Sequence, residues 1–286
     1  MKILVPLDGS RLADGILAHV RRLVAEAPGA EVTLLQALPA YLSDDEVALR
    51  RHEADEHHAA LRKLLAHEGV AVRSRVVVAA DPAECVVDAA RDLGADLIAL
   101  STHGRSGPSR WLRGSVAERV LRGATVPVYT ANPQGLVMTD DAIVGWRRVL
   151  VPLDGSERAT RVLALAGRFA LSSDAEVVLL HVDEPEVPGV HPVPEVAARK
   201  AQERAETALA EAKERLGRAG LQRVRVIGRY GADPAAEVLE AAREVDADLI
   251  AIASHGRTGL ARWRFGSVAE KVLRAAEAPL LIARAV

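Results

Sequence analysis

The hydrophobic positions of the chain fall into short runs that alternate with longer segments of helical spacing. In the first half, the runs have strand length and are rich in β-branched residues: ILVPL (3–7), VTLLQAL (32–38), VRSRVVV (72–78), DLIALS (96–101) and VPVYTA (126–131). Between them, apolar residues recur three and four positions apart, which predicts helices over Arg11–Ala27, Asp44–Glu68, Pro82–Leu93 and Ser115–Arg122. Strands that alternate with helices predict βαβ units and a parallel sheet.

The same pattern occurs a second time, which indicates a tandem duplication. The segment LVPLDGS at 4–10 returns unchanged at 150–156, and GADLIAL at 94–100 returns as DADLIAI at 246–252. We therefore predict an α/β fold of two doubly wound domains, each a five-stranded parallel sheet in the common order 3-2-1-4-5 with helices on both faces. The predicted boundaries are 1–132 for the first domain, 133–146 for a linker and 147–286 for the second domain.

Composition narrows the classes of partner. The 286-residue chain has 37 basic and 39 acidic residues and a pI near 6.5, so it has no global field that would attract nucleic acid or an anionic membrane. Its aromatic content of 3% leaves little surface for stacking bases. The single cysteine allows no internal disulfide, the N-terminal MKILVPLDGS predicts a strand and a turn rather than a signal peptide, and no apolar run reaches the length of a membrane span. We expect a cytoplasmic protein with no nucleic-acid or membrane partner.

A ligand site is predicted at the carboxyl edge of each sheet. In open parallel sheets, ligands bind where the strand order reverses, and in the order 3-2-1-4-5 this point lies between strands 1 and 4. In the first domain, strand 1 ends in Pro6, Leu7 and Asp8, and strand 4 leads into Ser101 and His103. The corresponding residues of the second domain are Pro152, Leu153, Asp154, Ala253 and His255.

The strongest repeat follows strand 4 and predicts a phosphate site. HGRSGPSRWLRGSVAERVLR (103–122) and HGRTGLARWRFGSVAEKVLR (255–274) agree at 14 of 20 positions. In each copy, a glycine-rich loop leads to a Gly-Ser pair at the start of a helix, where free backbone N–H groups and the positive end of the helix dipole favour an anion. Arg105 and Arg257, beside the first glycine of each loop, add local positive charge.

Each of these motifs also has an explanation that needs no ligand. The stretches Ser115–Glu118 and Ser267–Glu270 fit capping boxes, which would account for both the serine and the glutamate. Asp8 fits either an acceptor for a ribose hydroxyl or an Asp-Gly-Ser turn that begins the next helix. The stretch HEADEHH (52–58) misses the HExxH pattern and is expected to form the solvated face of a helix.

Asp8, the glycine-rich loop and the C-terminal strand of each half together resemble the universal stress protein family in its tandem, two-domain form. The most specific part of the resemblance is the family's ATP-binding pattern: glycine, two residues, glycine, nine residues, then glycine with serine or threonine. Here the pattern corresponds to STHG (101–104) followed by GS (114–115), and to ASHG (253–256) followed by GS (266–267). Both copies depart from it at the first position, where serine and alanine replace glycine.

The resemblance implies which residues hold the nucleotide. The adenine would lie near Leu7, Ala37 and Val78 in the first domain, and near Leu153, Val182 and Gly231 in the second. The triphosphate would meet Gly104, Arg105, Gly107, Gly114, Ser115 and Val116 in the first domain, and Gly256, Arg257, Gly259, Gly266, Ser267 and Val268 in the second. A Mg²⁺ or Mn²⁺ ion bridging the phosphates is compatible with this arrangement. Because LLHVDE and Gly231 are the more family-like versions, the second site is the one expected to bind if only one does.

The resemblance implies a stress-response protein in which ATP or a related adenine nucleotide acts as a regulatory ligand. The sequence lacks GxxxxGK[ST], with its Walker lysine, and GxSxG, so we expect no catalytic residues and at most weak ATP hydrolysis. Two alternatives stay open: a slow ATPase or nucleotide hydrolase, and an interaction scaffold that no longer binds nucleotide. The family pairs domains through their last strands, which implies an internal pseudo-dimer and allows a homodimer of chains.

Overall fold

Strands and helices alternate through two compact units, Met1–Val144 and Gly145–Val286. The computed structural model describes residues 1–66, 70–102, 115–131, 145–156, 161–185, 194–254 and 266–284. The elements of the first unit are β1 (Lys2–Leu7), α1 (Arg11–Asp14), α2 (Ile16–Ala25), β2 (Glu31–Pro39), α3 (Asp44–Ala66), β3 (Ala71–Ala79), α4 (Pro82–Leu93), β4 (Leu97–Ser101), α5 (Ser115–Gly123) and β5 (Val128–Ala131). Those of the second are β6 (Arg148–Pro152), α6 (Arg161–Ser172), β7 (Glu176–Asp183), α7 (Pro194–Ala208), α8 (Ala210–Arg218), β8 (Val224–Tyr230), α9 (Pro234–Glu244), β9 (Leu249–Ala253), α10 (Ser267–Ala275) and β10 (Leu280–Ala283).

Each unit contains a parallel sheet whose strand order reverses beside its first strand. The order is β3-β2-β1-β4-β5 in the first unit and β8-β7-β6-β9-β10 in the second. In the first unit, β1 pairs in parallel with β2 on one side and with β4 on the other. Within each unit this is the order 3-2-1-4-5 expected from the sequence. The reversal therefore lies between β1 and β4, and between β6 and β9.

The central strands are buried on both faces. Leu97, Ile98 and Ala99 of β4 are each 0% exposed, and successive side chains of a strand point to opposite faces. In the second unit, all five residues of β9 are buried. Continuous apolar runs, rather than alternating ones, are the pattern of parallel strands that helices cover on both sides. None of the helices in the described part of the chain is long and apolar enough to cross a membrane.

Aspartate followed by proline starts a helix in both units, because the aspartate side chain caps the helix and proline suits its first position. Asp81 Oδ1 accepts a hydrogen bond from the N–H of Ala83 at 3.0 Å, at the start of α4. Asp233 Oδ1 accepts one from the N–H of Ala235 at 3.1 Å, at the start of α9. The helix α4 ends at Leu93 and is followed by the capping residue Gly94, whose φ of 58° favours glycine.

The segment between β1 and β2 differs from the single helix predicted over Arg11–Ala27. Two helices, α1 and α2, meet at Gly15, and the second one ends at Ala25. Glycine weakens a helix interior because it has the largest backbone entropy to lose, and here it marks the break. The hydroxyl of Ser10 caps α1 by accepting a hydrogen bond from the N–H of Ala13 at 3.2 Å.

The outer strand β8 is held by a helix that packs on it very closely. A Cβ atom at Gly228 would lie 2.2 Å from the carbonyl oxygen of Ala201 on α7, so only glycine fits there. Gln202, the next residue of α7, donates from Nε2 to the carbonyl of Val226 at 3.2 Å. Its Oε1 accepts from the N–H of Gly228 at 2.7 Å. One side chain thus pairs a backbone acceptor and a backbone donor of β8.

Most of the predicted linker, 133–146, lies outside the described residues, and its boundaries stay a prediction. Its last two residues, Gly145 and Trp146, are described and fall within the second unit. Trp146 is 1% exposed, and its ring centroid lies 6.4 Å from that of Phe169 on α6. Trp146 therefore contributes to the core of the second unit.

Candidate functional site

A cleft of about 620 Å³ opens at the carboxyl edge of the first sheet. Its walls come from the ends of β1, β2 and β4 and from the helices α3, α4 and α5. The cleft lies where the strand order reverses, the position at which open parallel sheets bind ligands. The predicted nucleotide residues that line it are Pro6, Leu7, Asp8, Ala37, Ser101 and Val116. The structure thus brings together residues that are almost a hundred positions apart in the chain.

Other predicted site residues lie elsewhere or outside the described part of the chain. Val78, on β3, is 41% exposed and pairs in register with Leu38; it is not among the described residues that line the cleft. Ser115 begins α5, and its backbone alone is described. The predicted residues outside the described ranges are His103, Gly104, Arg105, Gly107 and Gly114 in the first unit, and His255, Gly256, Arg257 and Gly259 in the second.

The aspartate at the end of the first strand forms a turn in both units. Asp8 Oδ1 accepts hydrogen bonds from the N–H and the hydroxyl of Ser10, at 2.9 and 2.6 Å. Asp154 Oδ1 accepts one from the N–H of Ser156 at 2.9 Å. The glycine between each pair has a positive φ, 77° in the first unit and 79° in the second, which explains the Asp-Gly-Ser sequence. The turn accounts for the position of Asp8 Oδ1. Asp8 also lines the cleft.

The helix after the glycine-rich loop of the second unit begins without a side-chain cap. Gly266 is the N-cap residue, with φ −63° and ψ 146° and no side-chain hydrogen bond to the first turn. Ser267 is therefore the first helical residue, and Glu270 pairs with Arg274. The capping box predicted for Ser267–Glu270 is wrong, because a capping-box serine must precede the helix in an extended conformation. The Gly-Ser pair consequently needs another explanation.

The start of α10 is tied to the end of β9. The N–H of Gly266 donates to the carbonyl of Ser254 at 2.9 Å, and the N–H of Ser254 donates to the carbonyl of Ala283 at 2.8 Å. Ser254, the residue that follows β9, is 5% exposed. These two bonds place the first turn of α10, with its N–H groups, directly at the carboxyl edge of the sheet.

The equivalent helix of the first unit also begins at the serine of its Gly-Ser pair. It begins at Ser115, and Glu118 accepts a hydrogen bond from Arg122 at 2.5 Å rather than turning back over the helix start. The capping box predicted for Ser115–Glu118 is therefore not the arrangement found. A serine within the helix cannot adopt the extended conformation that the box requires.

In both units, a basic side chain of the helix after the glycine-rich loop, α5 or α10, pairs with the aspartate that caps the helix before it, α4 or α9. Arg119 of α5 pairs with Asp81, and the Arg119 guanidinium holds the pKa of that carboxyl below its usual value. Lys271 of α10 pairs with Asp233 at 3.0 Å and likewise lowers the pKa of the Asp233 carboxyl. The helix that follows each glycine-rich loop is thereby fixed to its neighbour, α4 or α9.

In the second unit, a buried histidine joins β7 to the end of β6. Because a carbonyl oxygen only accepts, the Nδ1–H of His181 donates to the carbonyl of Leu153, at 3.0 Å. Its Nε2 lies 3.7 Å from Asp183 Oδ1, and Arg204 reaches the other oxygen of Asp183 at 3.2 Å. His181 is 6% exposed and Leu153 4%. The Nδ1–H of His181 therefore has its hydrogen-bond acceptor within the protein.

The first unit has glutamine at the corresponding position. Gln36 in VTLLQAL aligns with His181 in VVLLHVD. Gln36 is 6% exposed and lines the cleft, and its Oε1 is buried with no hydrogen-bond partner among the described residues. The two units therefore differ in polar chemistry at the end of their second strands.

The remaining predicted residues of the second unit lie at the same sheet edge. Val182 follows His181 on β7 and is partly exposed, and Ala253 at the end of β9 is 7% exposed. Gly231 follows β8, and its N–H donates to the carbonyl of Asp183 at 3.0 Å. A Cβ there would lie 2.3 Å from Glu237 Oε1, so the glycine leaves room for that carboxylate. Burial, followed by the charge of Glu240, raises the pKa of Glu237.

The expectation that HEADEHH forms a solvated face is wrong for Ala54 and His58, which are buried, while His57 is half-buried. His58 is 0% exposed, and its Nδ1 lies 2.8 Å from the hydroxyl of Ser74 on β3. His57 lines the cleft, and its Nε2 lies 3.0 Å from Asp14 Oδ1. A sequence signal existed: Ala54, His58, Leu61 and Leu65 follow one another at helical spacing and are all buried. The charged residues between these four interrupt the apolar pattern, so the buried face of the helix is not apparent from hydrophobicity alone.

Comparisons with known proteins place the chain among one family. The model of the universal stress protein family matches residues 1–131 and 145–284. Universal stress protein Rv2005c of Mycobacterium tuberculosis is 31% identical over 201 residues, which are 66% of this chain and 62% of that protein. Universal stress protein Rv2623 of the same organism is 32% identical over 200 residues, 68% of this chain and 63% of that protein. The chain thus spans less than two thirds of the length of these curated relatives.

A solved structure shows the same fold. The crystal structure of a universal stress protein from Archaeoglobus fulgidus superposes with a TM-score of 0.75 at 21% sequence identity. The superposition covers 99% of this chain and 96% of the Archaeoglobus fulgidus chain.

Proposed function

Because the chain belongs to the universal stress protein family, we propose that its units bind ATP or a related adenine nucleotide and act as a nucleotide-dependent regulatory module in the stress response. The observation that carries the proposal is the start of α10. Gly266 gives this helix no side-chain cap, and its N–H is bonded to Ser254 at the sheet edge. Backbone N–H groups and the positive helix end then face a position where a phosphate group can approach closely.

The first cleft supports the same proposal through the arrangement of its walls. The phosphates would lie at the start of α5, near Val116, and the ribose beside Asp8 at the end of β1. The base would lie over the end of β2, near Leu7 and Ala37, both of which line the cleft. At about 620 Å³ the cleft is within the usual size of a small-molecule site.

A divalent ion would depend on the nucleotide for its ligands. Among the described residues, no group of three or more histidine, cysteine, aspartate or glutamate side chains could hold a metal. Mg²⁺ binds phosphate oxygens and keeps several waters in such sites. The described side chains therefore do not form a metal centre of their own.

The proposal is tested by calorimetry on the intact chain and on two glycine variants. Gly266→Val should remove nucleotide from the second unit, because a branched side chain at the N-cap blocks the approach of phosphate. Its backbone conformation is one that valine adopts readily, so the fold should persist. Gly114→Val should act likewise in the first unit. We expect the ATP stoichiometry to fall by one site in each variant.

Gly217→Ala is the matched control, because a Cβ at this position of α8 meets no atom within 4 Å. It should leave the ATP stoichiometry unchanged. Mass analysis of nucleotide released from the purified protein would identify the natural ligand. Unchanged ATP binding in Gly266→Val would contradict the phosphate site, and the absence of heat with ATP, ADP, AMP and cyclic AMP would favour an interaction scaffold.

A further inference from the structure

The outermost strand of the first sheet, β3, has one open edge. β3 pairs with β2 along its whole length, and in the part of the chain that the structure describes no strand lies on its other side. The carbonyl of Val76 accepts a hydrogen bond from Nη1 of Arg51 at 2.7 Å and so points away from β2. In a parallel strand, the N–H of a residue points to the same side as its carbonyl, and every second residue repeats this direction. Ser74, Val76 and Val78 therefore present their backbone groups at the open edge.

The corresponding edge of the second sheet is occupied by a side chain that both donates and accepts. AADP (79–82) aligns with GADP (231–234), so Val76 corresponds to Gly228. There Gln202 donates to a carbonyl of β8 and accepts from the N–H of Gly228 at 2.7 Å. Arg51 cannot do both, because a guanidinium carries donors only. Among the described residues, no side chain accepts from the N–H of Val76.

The side chains beside the open edge are positively charged on one face. Arg73 and Arg75 lie on the same face of β3, since alternate residues of a strand share a face, and both are exposed. Arg73 lies 3.7 Å from Glu31, and Arg75 has no ion-pair partner within the described ranges. Val77 continues this face and is 37% exposed. The face thus combines positive charge with an apolar end.

The second unit has less free charge at the corresponding face. Arg225 corresponds to Arg73 and pairs with Glu176 at 3.1 Å. At the position of Arg75, the second unit has Ile227. Open backbone groups beside an arginine with no described partner are therefore a property of the first unit.

We infer that the open edge of β3 binds an acidic segment of another protein, which adds to the sheet as an extended strand. The backbone groups of Ser74–Val78 form the ladder, and acidic side chains at alternate positions of the added strand lie beside Arg73 and Arg75. Arg51 is exposed, so its guanidinium can turn from the Val76 carbonyl to the acidic strand. A second copy of β3 does not fit, because it would set arginine beside arginine, and like charges directly opposite destabilise a strand pair.

The test measures the fluorescence anisotropy of a labelled, end-blocked nonapeptide that alternates glutamate with valine, titrated with the intact chain. This peptide should bind saturably, with a dissociation constant below about 1 mM. Two control peptides separate the contributions of charge and backbone. In one, lysine replaces glutamate; in the other, N-methylation of alternate residues removes the backbone donors along one edge. Both should bind at least about tenfold more weakly than the glutamate peptide.

A charge reversal assigns the site on the chain. Arg75→Glu should weaken binding of the glutamate peptide at least about tenfold, because it sets a like charge beside the added strand. Arg218→Glu is the matched control, since it makes the same change of charge at an exposed arginine of α8. This control should leave the dissociation constant unchanged.

A proline at the open edge tests the backbone contact. Val76→Pro removes the N–H that points away from β2 and spares the bonds between β2 and β3. It should weaken binding roughly 2- to 12-fold, the value of one hydrogen bond. Val76→Ala keeps that N–H and should retain binding. Circular dichroism and thermal unfolding would show that each variant is folded, and the exposed Arg75→Glu change keeps the test intact if the proline variant is not.

Three results would overturn the inference. The first is no saturable binding of the glutamate peptide to the intact chain. The second is equal binding of the glutamate, lysine and N-methylated peptides, which would show that neither charge nor backbone is read. The third is a dimer in sedimentation that is lost in Val76→Pro, which would assign the edge to a second copy of this chain. None of these results depends on nucleotide, so the proposed function is tested separately.

Discussion

Asp8 shows how one residue can serve both the turn and the cleft. Its Oδ1 accepts two hydrogen bonds from Ser10, and the same hydroxyl of Ser10 caps α1. Loss of the carboxylate would therefore disturb the turn, the cap and the cleft wall together. A binding defect in an Asp8 variant would therefore combine the loss of the turn with any loss of ligand contact.

Trp146 provides a prediction at the same scale. Trp146→Ala should destabilise the second unit by about 3–5 kcal/mol, the usual cost of removing a buried aromatic ring. The reason is its burial to 1% exposure and its packing on Phe169. Urea unfolding followed by circular dichroism measures the change. A loss below about 1 kcal/mol would show that this residue acts as linker, as its place in the sequence suggested.

Single residues also show where sequence reasoning falls short. The apolar runs and their spacing were sufficient to predict the strands and α4 of the first unit, because hydrophobic periodicity is a local property of the chain. The strand order came from the common doubly wound arrangement, because the pairing of strands is not a local property. The burial of His58 and the failure of the capping box at Ser267 depend on tertiary contacts and on a one-residue shift of a helix start. The buried Oε1 of Gln36 has no hydrogen-bond partner among the described residues. This depends on how side chains pack in the folded unit, which no sequence pattern predicts.

At the scale of elements, α7 packs directly on the backbone of β8. Gly228 allows it, since any side chain would meet the backbone of Ala201 and Gln202. The corresponding helix of the first unit, α3, contacts β3 through a longer side chain: Arg51 donates to the carbonyl of Val76 at 2.7 Å. The duplicated units therefore hold their outer strands by different means.

Gly228→Ala should separate α7 from β8. The added Cβ would lie 2.2 Å from a backbone oxygen, which cannot rotate away as a flexible side chain could. We expect a loss of about 1–3 kcal/mol or more in the free energy of unfolding. Gly217→Ala, with open space around its Cβ, should be neutral or stabilising by up to about 1 kcal/mol. Equal unfolding midpoints for the two variants would contradict the close packing.

At the scale of the whole molecule, the first unit carries two histidines whose pKa values are lowered, the fully buried His58 and the half-buried His19. Burial, followed by the charge of Arg22, lowers the pKa of His19 to about 4, and its Nδ1 lies 2.8 Å from the hydroxyl of Tyr129. Burial, followed by the charge of His57, lowers the pKa of His58 to about 4. Both residues lie between Met1 and Val144. Acid should therefore act strongly on this unit.

Stability of the first unit should fall as pH decreases from about 6.5 toward 4. The unfolded chain binds protons on these histidines below about 6.5, whereas the folded chain resists them until about 4, so protonation favours unfolding in that window. For His19 the loss by pH 4.5 is roughly 2–3 kcal/mol. Urea unfolding at pH 7 and pH 4.5 measures it, and His19→Gln should lose less stability over the same range. An identical pH slope in the variant would refute the assignment.

The two hydrogen bonds of Gln202 have a consequence for how the second unit behaves in a crowded solution. An outer β-strand with free N–H and C=O groups is a template on which another chain can add a strand. Gln202 occupies one such pair of groups on β8, at Val226 and Gly228, with a side chain that cannot propagate the ladder. The helix thereby ends growth of the sheet at this point, and this part of β8 is closed to recruitment of a foreign strand.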